Sequence, residues 1–127
     1  MQTDKQKTGS RGEEEACSWL VGEGHHILRR NWRAGHLELD VITLQGRVLH
    51  IVEVKTRSAG APVPPEVNVG RDKRRRMVSA ANAFINSAER GTLPPNLEIW
   101  FDVLTVVFAE PAPRIEYFPQ AFIPFYV

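Results

Sequence analysis

An α/β domain, with elements in the order α-β-β-β-α-β, is what this sequence predicts from three observations. Two segments carry apolar residues at helical spacing, four carry apolar or alternating residues over strand lengths, and glycine or proline clusters separate them. The chain has 127 residues and is 43% hydrophobic, enough for one core and too little for two. A single domain over residues 1–127 is therefore expected, with its core at about 8–108 and a Pro-rich tail at 109–127.

The first helix is expected from Ser10, a capping residue, to about Val21, because Ala16, Cys17, Leu20 and Val21 recur at helical spacing and Gly22 and Gly24 stop it. A first strand follows over His25 to Trp32. Leu37 to Leu44 alternates, Arg47 to Arg57 is a longer apolar strand, and Gln45-Gly46 between them reads as a hairpin turn. Pro62, Pro64 and Pro65 then rule out regular structure over Ser58 to Asn68, a loop long enough to act as a flap. Arg71 to Ala88 reads as a second helix with Met77, Ala80, Ala81, Phe84 and Ile85 inward. Leu97 to Phe108 is another apolar strand, and the tail carries a short edge strand around Arg114 to Phe118.

Composition narrows the class. Sixteen basic against fifteen acidic residues leave a net charge of +1, so any nucleic-acid contact must come from local clusters. The lone Cys17 excludes an internal disulfide and a cysteine-rich zinc module, which fits the cytoplasm, and on the helix's inner side it reads as core. Charges interrupt every apolar run before membrane-span length, and the polar start lacks an apolar leader, so neither membrane insertion nor export is expected. His25, His26, His36 and His50 share no metal-binding spacing.

The chemistry concentrates on the hairpin. Alternation puts Glu38, Asp40 and Ile42 on one face and Leu37, Leu39 and Val41 on the other, while Glu53 and Lys55 share a face of the next strand. Closure about Gln45-Gly46 sets Glu38 opposite Glu53 and Asp40 opposite Ile51, so that Asp40 and Glu53 become diagonal neighbours at about 7–8 Å. Carboxylates gathered on an apolar strand repel unless a proton or a cation neutralises them. Mg²⁺ (or Mn²⁺) suits the pair, since it takes oxygen ligands and often only one or two carboxylates; the Val54 carbonyl is a candidate third oxygen. Lys55 then faces an attacking water and the charge developing on a phosphate. Glu13, on the inward face of the first helix, is a further candidate ligand or a carboxylate favoured by the helix N-terminus. An E-x-K triplet arises by chance in a chain this long roughly two times in five. Pattern alone therefore weighs the metal site equally with a solvated Glu53-Lys55 ion pair.

Five ordered motifs carry a resemblance: T-G-x-x-G-E-x-x-A-x-x-x-L at Thr8 to Leu20, G-H-H-I-L-x-R-N-W-R at Gly24 to Arg33, L-E-L-D-V-I at Leu37 to Ile42, V-E-V-K-T-R at Val52 to Arg57, and F-D-V at Phe101 to Val103. Together they resemble the YraN family, a bacterial family of the restriction-endonuclease-like PD-(D/E)XK superfamily, which also contains Holliday-junction resolvases. The resemblance implies a central mixed β-sheet flanked by helices, with Asp40, Glu53 and Lys55 as the catalytic signature and Glu13 as the helical acidic residue. Glu38 matches a further family carboxylate. Leu37 stands where the family usually has glycine, and Trp100 where it has a basic residue.

Arg29, Arg30, Arg33, Arg57 and the run Lys73-Arg74-Arg75-Arg76 are candidates for nucleic-acid backbone contact; for the run, a solvated helix face is the equal alternative. Trp32 suits base stacking or, more commonly, core packing. Two functions follow as expectations: a metal-dependent DNA endonuclease selective for branched or junction DNA, or a non-catalytic nucleic-acid-binding module for recombination or repair that works through a partner protein. By analogy with resolvases a homodimer is expected, and the apolar segment Phe118 to Val127 is either its candidate interface or, equally, packed on its own domain.

Overall fold

A computed structural model describes residues 4–59 and 69–124. The elements are helix α1 (Asp4–Gly22), strands β1 (His26–Ala34), β2 (Leu37–Gln45) and β3 (Val48–Ser58), helix α2 (Arg71–Ile85), a 3₁₀ turn (Ala88–Thr92), and strands β4 (Glu98–Phe108) and β5 (Arg114–Phe122). The five strands form one mixed sheet in the order β1-β2-β3-β4-β5, antiparallel except for the central β3–β4 pair. This is the expected α/β, restriction-endonuclease-like architecture. A parallel pair needs a long crossover, and the segment containing α2 supplies it.

The two helices cover opposite faces of the sheet. Ala16, Cys17 and Leu20 of α1 pack with Val41, Val52, Leu104 and Val106. Met77, Ala80, Ala81 and Phe84 of α2 pack with Leu39, Ile42, Leu49, Ile51, Phe101 and Val103. β3 and β4 lie between both layers, which is why their sequences are nearly continuous apolar runs. The edge strand β1 exposes Arg29, Arg30 and Arg33, charges that discourage pairing with another sheet. At Gly12 a Cβ would stand 2.1 Å from Thr56 Oγ1, so a glycine lets α1 seat directly on β3.

Several expectations are corrected. α1 begins at Asp4, so Ser10 lies inside the helix and does not cap it: no proline interrupts the preceding polar turn. The tail strand runs to Phe122, paired along β4. The β2–β3 turn is Gly46-Arg47, closed by the Gln45↔Val48 pair, because Gly46 supplies the positive φ of 61° that the first turn position takes. This moves the register by two residues: Ile42, not Asp40, pairs with Ile51, and continuing the register sets Asp40, not Glu38, against Glu53. A shift of two keeps both on one face. Alternation in β2 also breaks, since Leu37 and Leu39 join Ile42 in the α2 layer while Val41 enters the α1 layer. Most of the Pro62–Pro65 loop, with the proposed flap, lies outside the described residues, as does the end of the apolar tail. Among the described residues no helix is long and apolar enough to cross a membrane.

Candidate active site

The site begins where the β2–β3 ladder ends. Beyond Val41↔Val52 the strands part, and the Val54 N–H donates instead to Asp40 Oδ2 at 3.0 Å. Across from this point, between the Arg30↔Val41 and Trp32↔Leu39 pairs, Asn31 of β1 has a positive φ of 51°. Strand geometry is thus interrupted on both sides of Asp40, and the interruption turns its carboxylate toward Glu53. The two side chains share a hydrogen bond. Burial, and then the Asp40 charge, push the Glu53 carboxyl up to about 7, while Lys73 acts against the rise. Asp40 is also raised, first by burial, with the Val54 N–H opposing. Both carboxyls are raised, and a hydrogen bond between them needs one proton held by the pair as a whole.

Two lysines flank the pair. Lys55, half-buried, lies two residues past Glu53 on the same face of β3, as expected. Lys73 of α2 places Nζ 3.2 Å from Glu53 Oε2. The sequence reading set Lys73 among backbone-binding cations, yet it precedes Met77 by four and Ala80 by seven residues and so belongs to the buried face of α2, a signal that was available. Val54 turns its side chain to the α1 layer.

Glu13 occupies the expected inward face of α1, where Asn31 Nδ2–H donates to its Oε2 at 3.0 Å. Burial raises its carboxyl, Asn31 opposes, and the Asp40 and Glu38 charges add to the rise, so it lies within the electrostatic reach of the pair. Glu38 is exposed and pairs with exposed Arg33 at 3.7 Å. Among the described residues, no three His, Cys, Asp or Glu side chains form a ready metal cluster.

The other basic candidates separate. Arg29 bonds Glu89 at 2.5 Å. Arg74 donates to the Val69 carbonyl at 2.6 Å and lies over the Phe122 ring. Arg57 is half-buried at the end of β3. Arg30, Arg75 and Arg76 are exposed. Trp32 stands edge-on to Phe84, which makes it core.

A second polar group was not foreseen. On the α1 face, His50 Nδ1–H and the Tyr117 hydroxyl both donate to Asp102 Oδ2, the former at 2.6 Å, and the Gln120 N–H donates to Oδ1 at 2.9 Å. The His25 ring lies tilted 4.5 Å from that of His50 and hydrogen-bonds Thr43 at 2.7 Å. Burial, with Asp102 behind it, keeps the Tyr117 phenol protonated and donating, and burial first lowers His25. Spacings of 52 and 15 residues from Asp102 to its side-chain partners leave no local sequence signal.

A mixed sheet between two helical layers, with Asp40, Glu53 and Lys55 on adjoining central strands, places the chain in the restriction-endonuclease-like class of α/β domains. The chain belongs to the UPF0102 family, also called YraN: the model of "Uncharacterised protein family UPF0102" matches residues 12–106. A UPF0102 protein of Anaeromyxobacter dehalogenans is 41% identical over 93% of this chain and 85% of its own length. Those of Parabacteroides distasonis and Bacteroides thetaiotaomicron are each 37% identical, over 90% of both chains for the first and over 91% and 92% for the second.

Proposed function

We propose that this chain is a Mg²⁺- or Mn²⁺-dependent endonuclease that hydrolyses phosphodiester bonds of DNA, with branched or junction DNA as its preferred form. The observation that carries the reading is the half-buried Asp40–Glu53 pair, two carboxyls brought together with Asp40 fixed by the Val54 N–H and Glu53 3.2 Å from Lys73 Nζ. A fold gains nothing in stability from crowding two carboxylates; a hard divalent cation that replaces the shared proton suits their donor chemistry.

Asp40 and Glu53 would hold the cation, with the Val54 N–H fixing the Asp40 carboxylate. When bound, the cation supplies Lewis-acid polarisation of the phosphate and an acidified water. Lys55, on the Glu53 face, orients the scissile phosphate and offsets its growing negative charge. Glu13, held by Asn31, steadies a water or the cation's outer shell from the α1 side. Exposed Arg30, Arg75 and Arg76 contact the nucleic-acid backbone, and a second copy of the chain supplies the symmetric cut a junction requires. The cytoplasm, with recombination or repair partners, is the corresponding setting.

Labelled duplex, single-stranded, flap and four-way-junction DNA, incubated with Mg²⁺, Mn²⁺ or EDTA, tests the reading. Cleavage of the branched forms that EDTA abolishes is expected. Tight junction binding without cleavage under any metal would replace it with the non-catalytic binding module.

A further inference from the structure

Lys73 sits in the first turn of α2, where the helix dipole disfavours a cation, and Gly70 at the cap offers no side chain to the turn. Its ammonium is nevertheless drawn inward to Glu53, 3.2 Å away, with the lysine side chain 40% and the glutamate side chain 17% exposed. The neighbouring arginines do otherwise: Arg74 turns to the Val69 carbonyl, and Arg75 and Arg76 face solvent. A lysine on a flexible four-carbon stem can leave such a seat without moving the helix. A divalent cation on Glu53 and an ammonium at hydrogen-bond distance from the same carboxylate repel, so the two are alternatives.

We propose that Lys73 is a built-in counter-cation of the Asp40–Glu53 pair, displaced when a divalent cation binds, and that the ejected ammonium joins Arg75 and Arg76 in contacting a nucleic-acid phosphate. The inference rests on the metal-dependent reading of the pair. Metal and nucleic acid then favour each other, because each rewards the conformation with Lys73 swung out, and the coupling is reciprocal. It makes Lys73 a positioning residue that ties metal loading to substrate arrival.

The test measures Mn²⁺ affinity of the full chain by calorimetry for wild type, Lys73→Met, Lys73→Arg and Arg75→Met, each checked for wild-type circular dichroism. Lys73→Met is expected to bind Mn²⁺ about five- to tenfold tighter, the size of one half-buried ion pair. Lys73→Arg restores the wild-type value, and Arg75→Met, with the same loss of charge outside the site, stays near it. In a second readout, Ca²⁺ strengthens junction-DNA binding by wild type more than by Lys73→Met. Equal Mn²⁺ affinity for wild type and Lys73→Met, or equal gains from Lys73→Met and Arg75→Met, overturns the counter-cation role. An equal Ca²⁺ effect in both proteins overturns the coupling to nucleic acid. No Mn²⁺ binding by any of the four proteins at millimolar concentration overturns the metal-site reading itself.

Discussion

At Glu53 a carboxyl that titrates near 7 carries a cost that depends on pH. Its folded value is raised above the ordinary 4.5, so the native state binds the proton more tightly than the unfolded chain does. Its stabilising contribution is therefore complete below about 4.5 and is lost as the pH rises through about 7. The loss is on the order of 3 kcal/mol. Glu53→Gln, which stays neutral, should be more stable than wild type above pH 7, with the gap closing toward pH 4.5. Thermal unfolding across that range checks this, and a pH-independent difference would show that the acid pair is not strained. Of this site, Asp40, Glu53 and Lys55 were legible as candidates, because Glu53 and Lys55 alternate with Val52 and Val54 on β3 and a register shift of two preserves parity across the hairpin. The kink at Asn31 and the turn of Asp40 toward Val54 were not, because a left-handed asparagine and a side chain that captures a backbone donor depend on the neighbouring strand.

The elements are fastened to one another at a few close contacts. Gly12 is one, and Gly12→Ala should cost about 1–3 kcal/mol by driving a methyl group into Thr56, measurable as a lowered midpoint in urea. Thr56→Ala in the same chain should recover much of that loss. Asp102 is another. β4 and β5 shift register between Phe101 and Val103, and Gln120, at a φ of 50°, turns its N–H to the Asp102 carboxylate much as Val54 does for Asp40. The fully buried Asp102 thereby ties β3, β4 and β5 through His50, Tyr117 and Gln120. Asp102→Ala strands three donors and should cost about 3–5 kcal/mol in chemical denaturation. A loss below about 1 kcal/mol would mean that water replaces the carboxylate. The helices and strands were readable from period and punctuation, whereas this network was not, since its members come from distant strands and sit at no helical or strand spacing.

For the whole molecule, a net charge of +1 means that the proposed nucleic-acid binding would rest on local clusters and depend on salt. Each of Arg30, Arg75 and Arg76 that contacts a phosphate should contribute about 0.9 to the slope of log affinity against log salt. Replacing each by glutamine should flatten the slope by that amount with little change in sequence preference, as read by fluorescence anisotropy; an unchanged slope for all three would move the binding face elsewhere. The elements and the β2–β3 hairpin follow from patterns visible in the sequence, whereas the mixed sheet flanked by helices was implied only by the family resemblance, and at Gly46-Arg47 the glycine's φ and not the symmetry of the apolar runs decides the register. The contact of Lys73 with Glu53 went unread for a related reason: a run of four cations hides the one whose spacing to Met77 turns it toward the sheet. The most direct measurement is the rate of Mg²⁺-dependent cleavage of a four-way DNA junction by wild type, Asp40→Asn and Lys55→Ala. The account predicts cleavage by wild type and a fall of at least about 100-fold in both variants. Cleavage that survives both substitutions, or wild type that binds the junction and Mg²⁺ yet never cuts, would contradict it.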